Sequence, residues 1–257
     1  MSRLRTEGLR LGYGERTVVE HLDLTVPDGV FTAIVGPNAC GKSTLLRSLV
    51  RLLKPEAGSV VLDGRTIATW RPKAVARELG FLPQGTTTPE GIRVVGLVRR
   101  GRYARQPAIG TWTRADDAAV SAALDAAGVA DLADRRVSAL SGGQRQRVWI
   151  AMVLAQETPY LLLDEPTTFL DIAHQYELLR LLRRLVDDGR TVVAVLHDLN
   201  QACRFADHVV AMRDGAVVAT GAPAEVVDAA LVERVFGLAC AVLPDPITGT
   251  PMVVPHA

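Results

Sequence analysis

The chain has 257 residues, 48% hydrophobic and 22% charged, which is enough to bury a sizeable core and too little for two large domains. Lysine plus arginine (29) nearly balances aspartate plus glutamate (28), so the strongly basic class of nucleic-acid binder is excluded and no nucleic-acid partner is expected. The longest apolar runs, TVVAVL at 191–196 and YLLLD at 160–164, fall far short of the roughly 20 residues of a membrane-spanning helix.

In chain order, LRLGY and HLDLTV alternate apolar and polar residues and end in the turn PDG, which predicts antiparallel strands. The N-terminal MSRLRTEGLRLGYG has no uninterrupted apolar core or small-residue cleavage site, so a cytosolic location is expected. VFTAIV then reads as a buried strand, GPNACGKST at 36–44 as a glycine-rich loop, and LLRSLVRLL as an amphipathic helix. Ala- and Arg-rich stretches (ADDAAVSAALDAAGV, GGQRQRVWIAMVLAQ) predict a helical subdomain over about residues 90–156. Strand-then-helix units recur, with LLLDEP before IAHQYELLRLLRRLV and TVVAVLHD before LNQACRFA. Continuous apolar strands alternating with helices specify an α/β fold with a parallel sheet covered on both faces. HVVAMRDGAVVATG predicts a hairpin turning at Asp214 and Gly215, PAEVVDAALVERVFG one helix with Pro223 near its start, and residues 240–257 a closing hairpin. No linker or fixed-period repeat divides residues 1–257, so a single domain is expected. Cys40, Cys203 and Cys240 are widely spaced with no CxxC pair, which predicts reduced thiols rather than a disulfide or zinc site.

GPNACGKS matches GxxxxGK[ST] through Gly36, Gly41, Lys42 and Ser43, in the strand-loop-helix context that the pattern requires. Glycines let the backbone turn its N–H groups inward, and those groups with the helix N-terminus bind anionic oxygens. Lys42 neutralises charge between β- and γ-phosphates, and Ser43 offers a hydroxyl to Mg²⁺. Only Lys42, Lys54 and Lys73 are lysines, the other 26 basic residues being arginine, so a compact ammonium at position 42 suits a site too narrow for a guanidinium. This loop alone leaves kinases, GTPases and motor ATPases open. LLLDEP adds Asp164, placed to hold Mg²⁺ through water, and Glu165, placed to orient or deprotonate a water. LSGGQRQR at 140–147 opens a second helix with an N-terminus suited to an anion. One nucleotide needs only one such helix start. The second must meet a nucleotide held elsewhere, and a head-to-tail dimer of this chain with two ATP molecules between the copies satisfies both.

With these motifs in this order, nearly the whole chain resembles the ATP-binding subunit of an ATP-binding cassette transporter, an ABC-type P-loop NTPase with ATP and Mg²⁺ as ligands. The resemblance implies that Tyr13 stacks on adenine and that Gly36, Pro37, Asn38, Ala39, Cys40, Gly41, Lys42, Ser43 and Thr44 wrap the phosphates. It implies that Gln84 links Mg²⁺ to the transport subunit, alongside Ser43 and Asp164 at the metal. Ser141, Gly142, Gly143 and Gln144 then contact the partner copy's ATP, with Asp171 a contact across the dimer. Glu165 becomes the general base and His197 the residue holding the γ-phosphate and attacking water.

GPNxCGKSTLLR, RGRYxxQ, DEPTTFLDIAHQYELL and HDLNQACRFAD are similar to the ATPases of bacterial importers for ferric siderophores. That resemblance implies a peripheral subunit on the cytoplasmic face of the membrane, docked on permease subunits through a groove from Gln84 to GRYARQP. A separate binding protein handles the cargo, with no direct cargo contact here. Haem and cobalamin importers share the architecture and stay open as alternatives. A non-transport cassette ATPase usually carries two cassettes or a long coiled-coil insertion, neither visible here. Two expectations concern the loop itself. Ala39 stands where the similar importers often have glycine, so its φ is expected to be negative. Cys40 reads as a small loop residue, with the alternative of a thiol whose pKa is lowered by the helix N-terminus and whose alkylation blocks ATP.

Overall fold

The computed structural model describes residues 2–85, 87–106 and 111–256. The chain opens with β1 (Leu4–Tyr13), β2 (Arg16–Val19) and β3 (Leu24–Val26), followed by β4 (Phe31–Val35), α1 (Lys42–Leu49), β5 (Ala57–Leu62) and β6 (Arg65–Thr66). Next come α2 (Pro72–Glu78), β7 (Leu79–Leu82), α3 (Val94–Arg99), a 3₁₀ turn at Arg100–Ala104, α4 (Arg114–Ala126) and α5 (Gly142–Leu154). The remainder alternates β8 (Tyr160–Asp164), α6 (Ile172–Asp187), β9 (Thr191–Val195), α7 (Leu199–Phe205), β10 (His208–Arg213) and β11 (Ala216–Gly221). It closes with α8 (Pro223–Val226), α9 (Ala229–Phe236), β12 (Cys240–Pro244) and β13 (Pro251–Pro255).

The central sheet runs β11-β10-β4-β9-β8-β7, with every pair parallel except the β10–β11 hairpin. Its strands read as unbroken apolar runs because both faces are covered. Phe31, Ala33 and Val35 of β4, Leu161 and Leu163 of β8, and Val192 and Ala194 of β9 pack with α3 to α7. The alternate residues Ile34, Tyr160, Leu162, Val193 and Val195 pack with α1 and the antiparallel sheet β2-β1-β5-β6, to which β3 adds. The antiparallel N-terminal sheet, the parallel core and the helices of 94–154 are those expected from the sequence.

α6 shows why its residues form a helix with one buried face. Asp171 caps it by accepting from the His174 N–H (3.0 Å), and Leu178, Leu179, Leu181, Leu182, Leu185 and Val186 recur at helical spacing and are all buried. Each contributes roughly 1.5–3 kcal/mol relative to exposure.

One element differs from expectation. Residues 223–236 form two helices, because the Asp228 carboxylate accepts from the Leu231 N–H (2.7 Å) and so starts α9 afresh after an extended Val227.

The expected closing hairpin is present as β12–β13, and it is pinned to α7 at two points one turn apart. The Asn200 side chain donates to Val253 O (3.2 Å) and accepts from Val253 N (2.7 Å), while Arg204 pairs with Asp245. N–H groups of Ile247 and Thr248, then Arg204, hold the Asp245 carboxyl at about 2. Because this pKa lies below the ordinary carboxylate value of about 3.9, the stability it confers is complete above that pH and lost as pH falls toward 2. Thermal melts of the parent and Asp245→Asn should therefore differ most near neutral pH, and the gap should close toward about pH 2. A gap independent of pH contradicts this account of the anchor.

Candidate functional site

The loop between β4 and α1 needs two glycines. Gly36 has φ 152°, and a Cβ there would stand 2.1 Å from the Met212 carbonyl oxygen. Gly41 caps α1 at φ 103°. No side chain caps α1, so its first N–H groups are left for a ligand. The backbone at Ala39 corrects the expectation: φ is +61°, not negative. The tight loop demands a left-handed residue at this position, and the alanine methyl costs about 1–2 kcal/mol there.

Lys42 is buried, and its Nζ donates to the carbonyls of Gly36 (2.8 Å) and Pro37 (2.7 Å), so the ammonium closes the loop upon itself. Cys40 is the small loop residue expected, and its alternative reading, a lowered thiol pKa, is corrected. Its thiol is buried, and burial pushes its pKa up more than the Lys42 ammonium, 3.9 Å from Sγ, pulls it down. Cys40 packs into the apolar cluster beneath the loop with Val19, Ile34 and Leu45.

β8 delivers the acidic pair. Asp164 is completely buried, accepts from Ser43 Oγ (2.8 Å) through Oδ1, and leaves Oδ2 without a partner among the described residues. Burial raises its pKa against the pull of the Ser43 bond, with the neighbouring Glu165 adding to the rise. Glu165 is held at φ 54°, and its carboxylate is gripped on both oxygens. His197 Nε2 lies 2.7 Å from Oε1, and Gln84 Nε2 donates to Oε2 at 2.7 Å. β7, β8 and β9 are neighbours in the sheet, and Gln84, Glu165 and His197 each follow the C-terminal end of one of them.

These groups share one cavity of about 490 Å³, lined by Tyr13, Asn38, Ala39, Gly41, Lys42, Ser43, Thr44, Gln84, Glu165 and His197. Arg16 and Val18, which sequence reasoning did not single out, also line it. Their only signal was a position just beyond the turn that follows Tyr13. Gly36, Pro37, Cys40 and the fully buried Asp164 do not line the cavity. The first two contribute the carbonyls that hold Lys42.

The remaining candidates stand apart. Ser141 and Gln144 form a capping box at the start of α5, Gln144 N donating to Ser141 Oγ (3.2 Å) and Ser141 N to Gln144 Oε1 (3.1 Å). Gly142 and Gly143 lie between them, against Phe169 and Leu170 of the loop after Glu165. Asp171 is exposed and bonded to the backbone N–H and ring of His174, which hold its carboxyl below the usual range. None of these five residues lines the cavity.

Residues 19–168 match the family model described as "ABC transporter". The chain belongs to the ABC transporter family. ATP is the nucleotide of this family of cassettes. Among its relatives are the ferric enterobactin transport ATP-binding protein of Escherichia coli (strain K12), 57% identical over 99% of this chain and 94% of that protein. Another is the probable siderophore transport system ATP-binding protein of Bacillus subtilis (strain 168), 54% identical over 100% of this chain and 94% of that one. Among solved structures, an inward-facing metal-chelate type ABC transporter superposes with a TM-score of 0.83 at 28% identity, covering 99% of this cassette and 97% of that chain. No helix among the described residues is long and apolar enough to cross a membrane.

Proposed function

We propose that this cassette is the ATP-hydrolysing subunit that powers import of ferric siderophores through an ABC transporter. One observation carries the hydrolytic half: the Glu165 carboxylate, held between His197 and Gln84, stands at the edge of the cavity whose other wall is the Lys42 loop. In this reading Tyr13, half exposed at the cavity mouth, stacks on adenine. Backbone N–H groups of residues 38–44 receive phosphate oxygens, and Lys42 exchanges the Gly36 and Pro37 carbonyls for the β- and γ-phosphates. His197 holds the γ-phosphate and the attacking water, and Glu165 takes the water's proton as its oxygen bonds to phosphorus and ADP departs.

Ser43, Asp164 and Gln84 suit Mg²⁺. The buried, unpartnered Oδ2 of Asp164 beside the Ser43 hydroxyl is the feature that a hard cation or its water would satisfy. Bound there, Mg²⁺ would supply positive charge to the β- and γ-phosphate oxygens. Ser141, Gly142, Gly143, Gln144 and Asp171, outside the cavity of their own chain, would meet the ATP of a second, head-to-tail copy. That arrangement gives each helix start one nucleotide.

The cargo assignment is supported by the names and identities of the two relatives, both siderophore systems. Permease subunits would dock on the cytoplasmic side where Tyr103 and Gln106 of the expected groove meet Gly96, Arg99, Arg100 and Trp112, while Gln84 lines the nucleotide cavity instead and a separate binding protein presents the chelate. Pro107 of the expected groove lies outside the described residues. Deletion of the gene should reduce uptake of labelled ferric siderophores to background while haem and cobalamin uptake continue. Normal uptake of every iron chelate rejects the cargo assignment, and loss of haem or cobalamin uptake alone transfers it to that cargo.

A further inference from the structure

The loop from Glu165 to Asp171 carries two non-glycine residues in the left-handed region, Glu165 (φ 54°) and Phe169 (φ 67°). Such backbone persists only where the surroundings over-determine it. Three glutamine side chains, one from each of three helices, supply that constraint. Gln146 of α5, buried, donates from Nε2 to Pro166 O (3.1 Å). Gln175 of α6 donates from Nε2 to Leu170 O (3.1 Å) and, at a longer 3.4 Å, to Thr167 O. The Oε1 of the same Gln175 accepts from Nε2 of Gln201 on α7 at 2.7 Å. Gln201 is 4% exposed, and Asp198, next to His197, caps its backbone N–H at 3.1 Å.

A side-chain relay therefore joins the two segments that grip each other through the Glu165–His197 contact: the loop after Glu165 is tied to Gln175, Gln175 to Gln201, and Gln201 to the turn that begins with His197. None of the three glutamines lines the cavity, so none is placed to touch nucleotide. All their bonds are spent on the backbone of the loop or on each other.

We propose that Gln146, Gln175 and Gln201 are positioning residues for hydrolysis, holding Glu165 in its strained backbone and its carboxylate in register with His197. This rests on the reading of Glu165 as general base. The donor and acceptor directions matter. A carboxylate at position 175 would still accept from Gln201 but would face the Leu170 and Thr167 carbonyls with no hydrogen to offer.

The test uses the purified full chain with Mg·ATP, measuring kcat, KM, ATP affinity and thermal stability for Gln175→Glu, Gln175→Met, Gln201→Met and the double methionine variant. Misplacing the base should lower kcat on the order of 100-fold while KM for ATP stays within about threefold, because the phosphate loop is untouched. Gln175→Met, of equal length and uncharged, carries the test if Gln175→Glu does not fold. Because the two glutamines act through one bond, the double methionine variant should lose no more than the worse single variant. Folded variants with parent kcat, losses that add independently, or a KM that rises in step with the fall in kcat would overturn the proposal. Glu165→Gln run alongside separates the two readings. Its hydrolysis at the parent rate removes the base assignment, whereas an inactive Glu165→Gln beside a fully active Gln175→Met removes the relay alone.

Discussion

Glu165→Gln should bind ATP with parent affinity, hydrolyse it on the order of 10²- to 10⁴-fold more slowly, and accumulate as an ATP-bound dimer. The substitution keeps the side chain's size, and the amide can still meet His197 or Gln84, each of which now lies 2.7 Å from a carboxylate oxygen. What it loses is the capacity to accept a proton from water. Steady-state phosphate release, ATP titration and sedimentation together check the outcome. Hydrolysis at the parent rate would show that another group removes the proton, and weakened ATP binding with no dimer would show that the carboxylate is structural.

Lys42→Ala should act one step earlier, at nucleotide capture. The buried ammonium is donated to the loop's own carbonyls at 2.7 and 2.8 Å, so its role without nucleotide is to hold the loop closed. With ATP bound, the same ammonium faces phosphate oxygens, and loss of one net hydrogen bond to a charged group costs about 1.5–3 kcal/mol. Affinity should therefore fall by about 10- to 100-fold or more, one order of magnitude per 1.4 kcal/mol. Unchanged ATP titration by calorimetry would sink the phosphate-loop reading.

The fold was legible where local chemistry decides it. Fully buried strands such as FTAIV, YLLLD and TVVAV announce a sheet covered on both faces, and the turn at Asp214 and Gly215 announces its hairpin. The cavity was legible for a related reason: its side chains sit in short motifs at the ends of neighbouring strands, so each motif brings its own backbone context. Where the reading went astray, tertiary packing overruled a local rule. Ala39 takes a left-handed angle because the loop closes around Lys42, and the Cys40 thiol is raised because the apolar layer under the loop buries it, outweighing the helix start. The break at Asp228 was legible in principle, since aspartate is a helix-starting residue, but the apolar pattern on both sides concealed it. The glutamine relay was not legible at all. Gln175 and Gln201 are 26 residues apart and meet only because α6 and α7 pack together.

The central claim, that hydrolysis at Glu165 in this chain drives entry of an iron chelate, is tested most directly by one uptake measurement. A strain whose only copy of the gene carries Glu165→Gln is supplied with radiolabelled ferric siderophore and compared with the same strain carrying the parent gene. Accumulation of label should fall to the level of the gene deletion, although the variant protein is present and binds ATP. Accumulation at the parent rate would contradict the account.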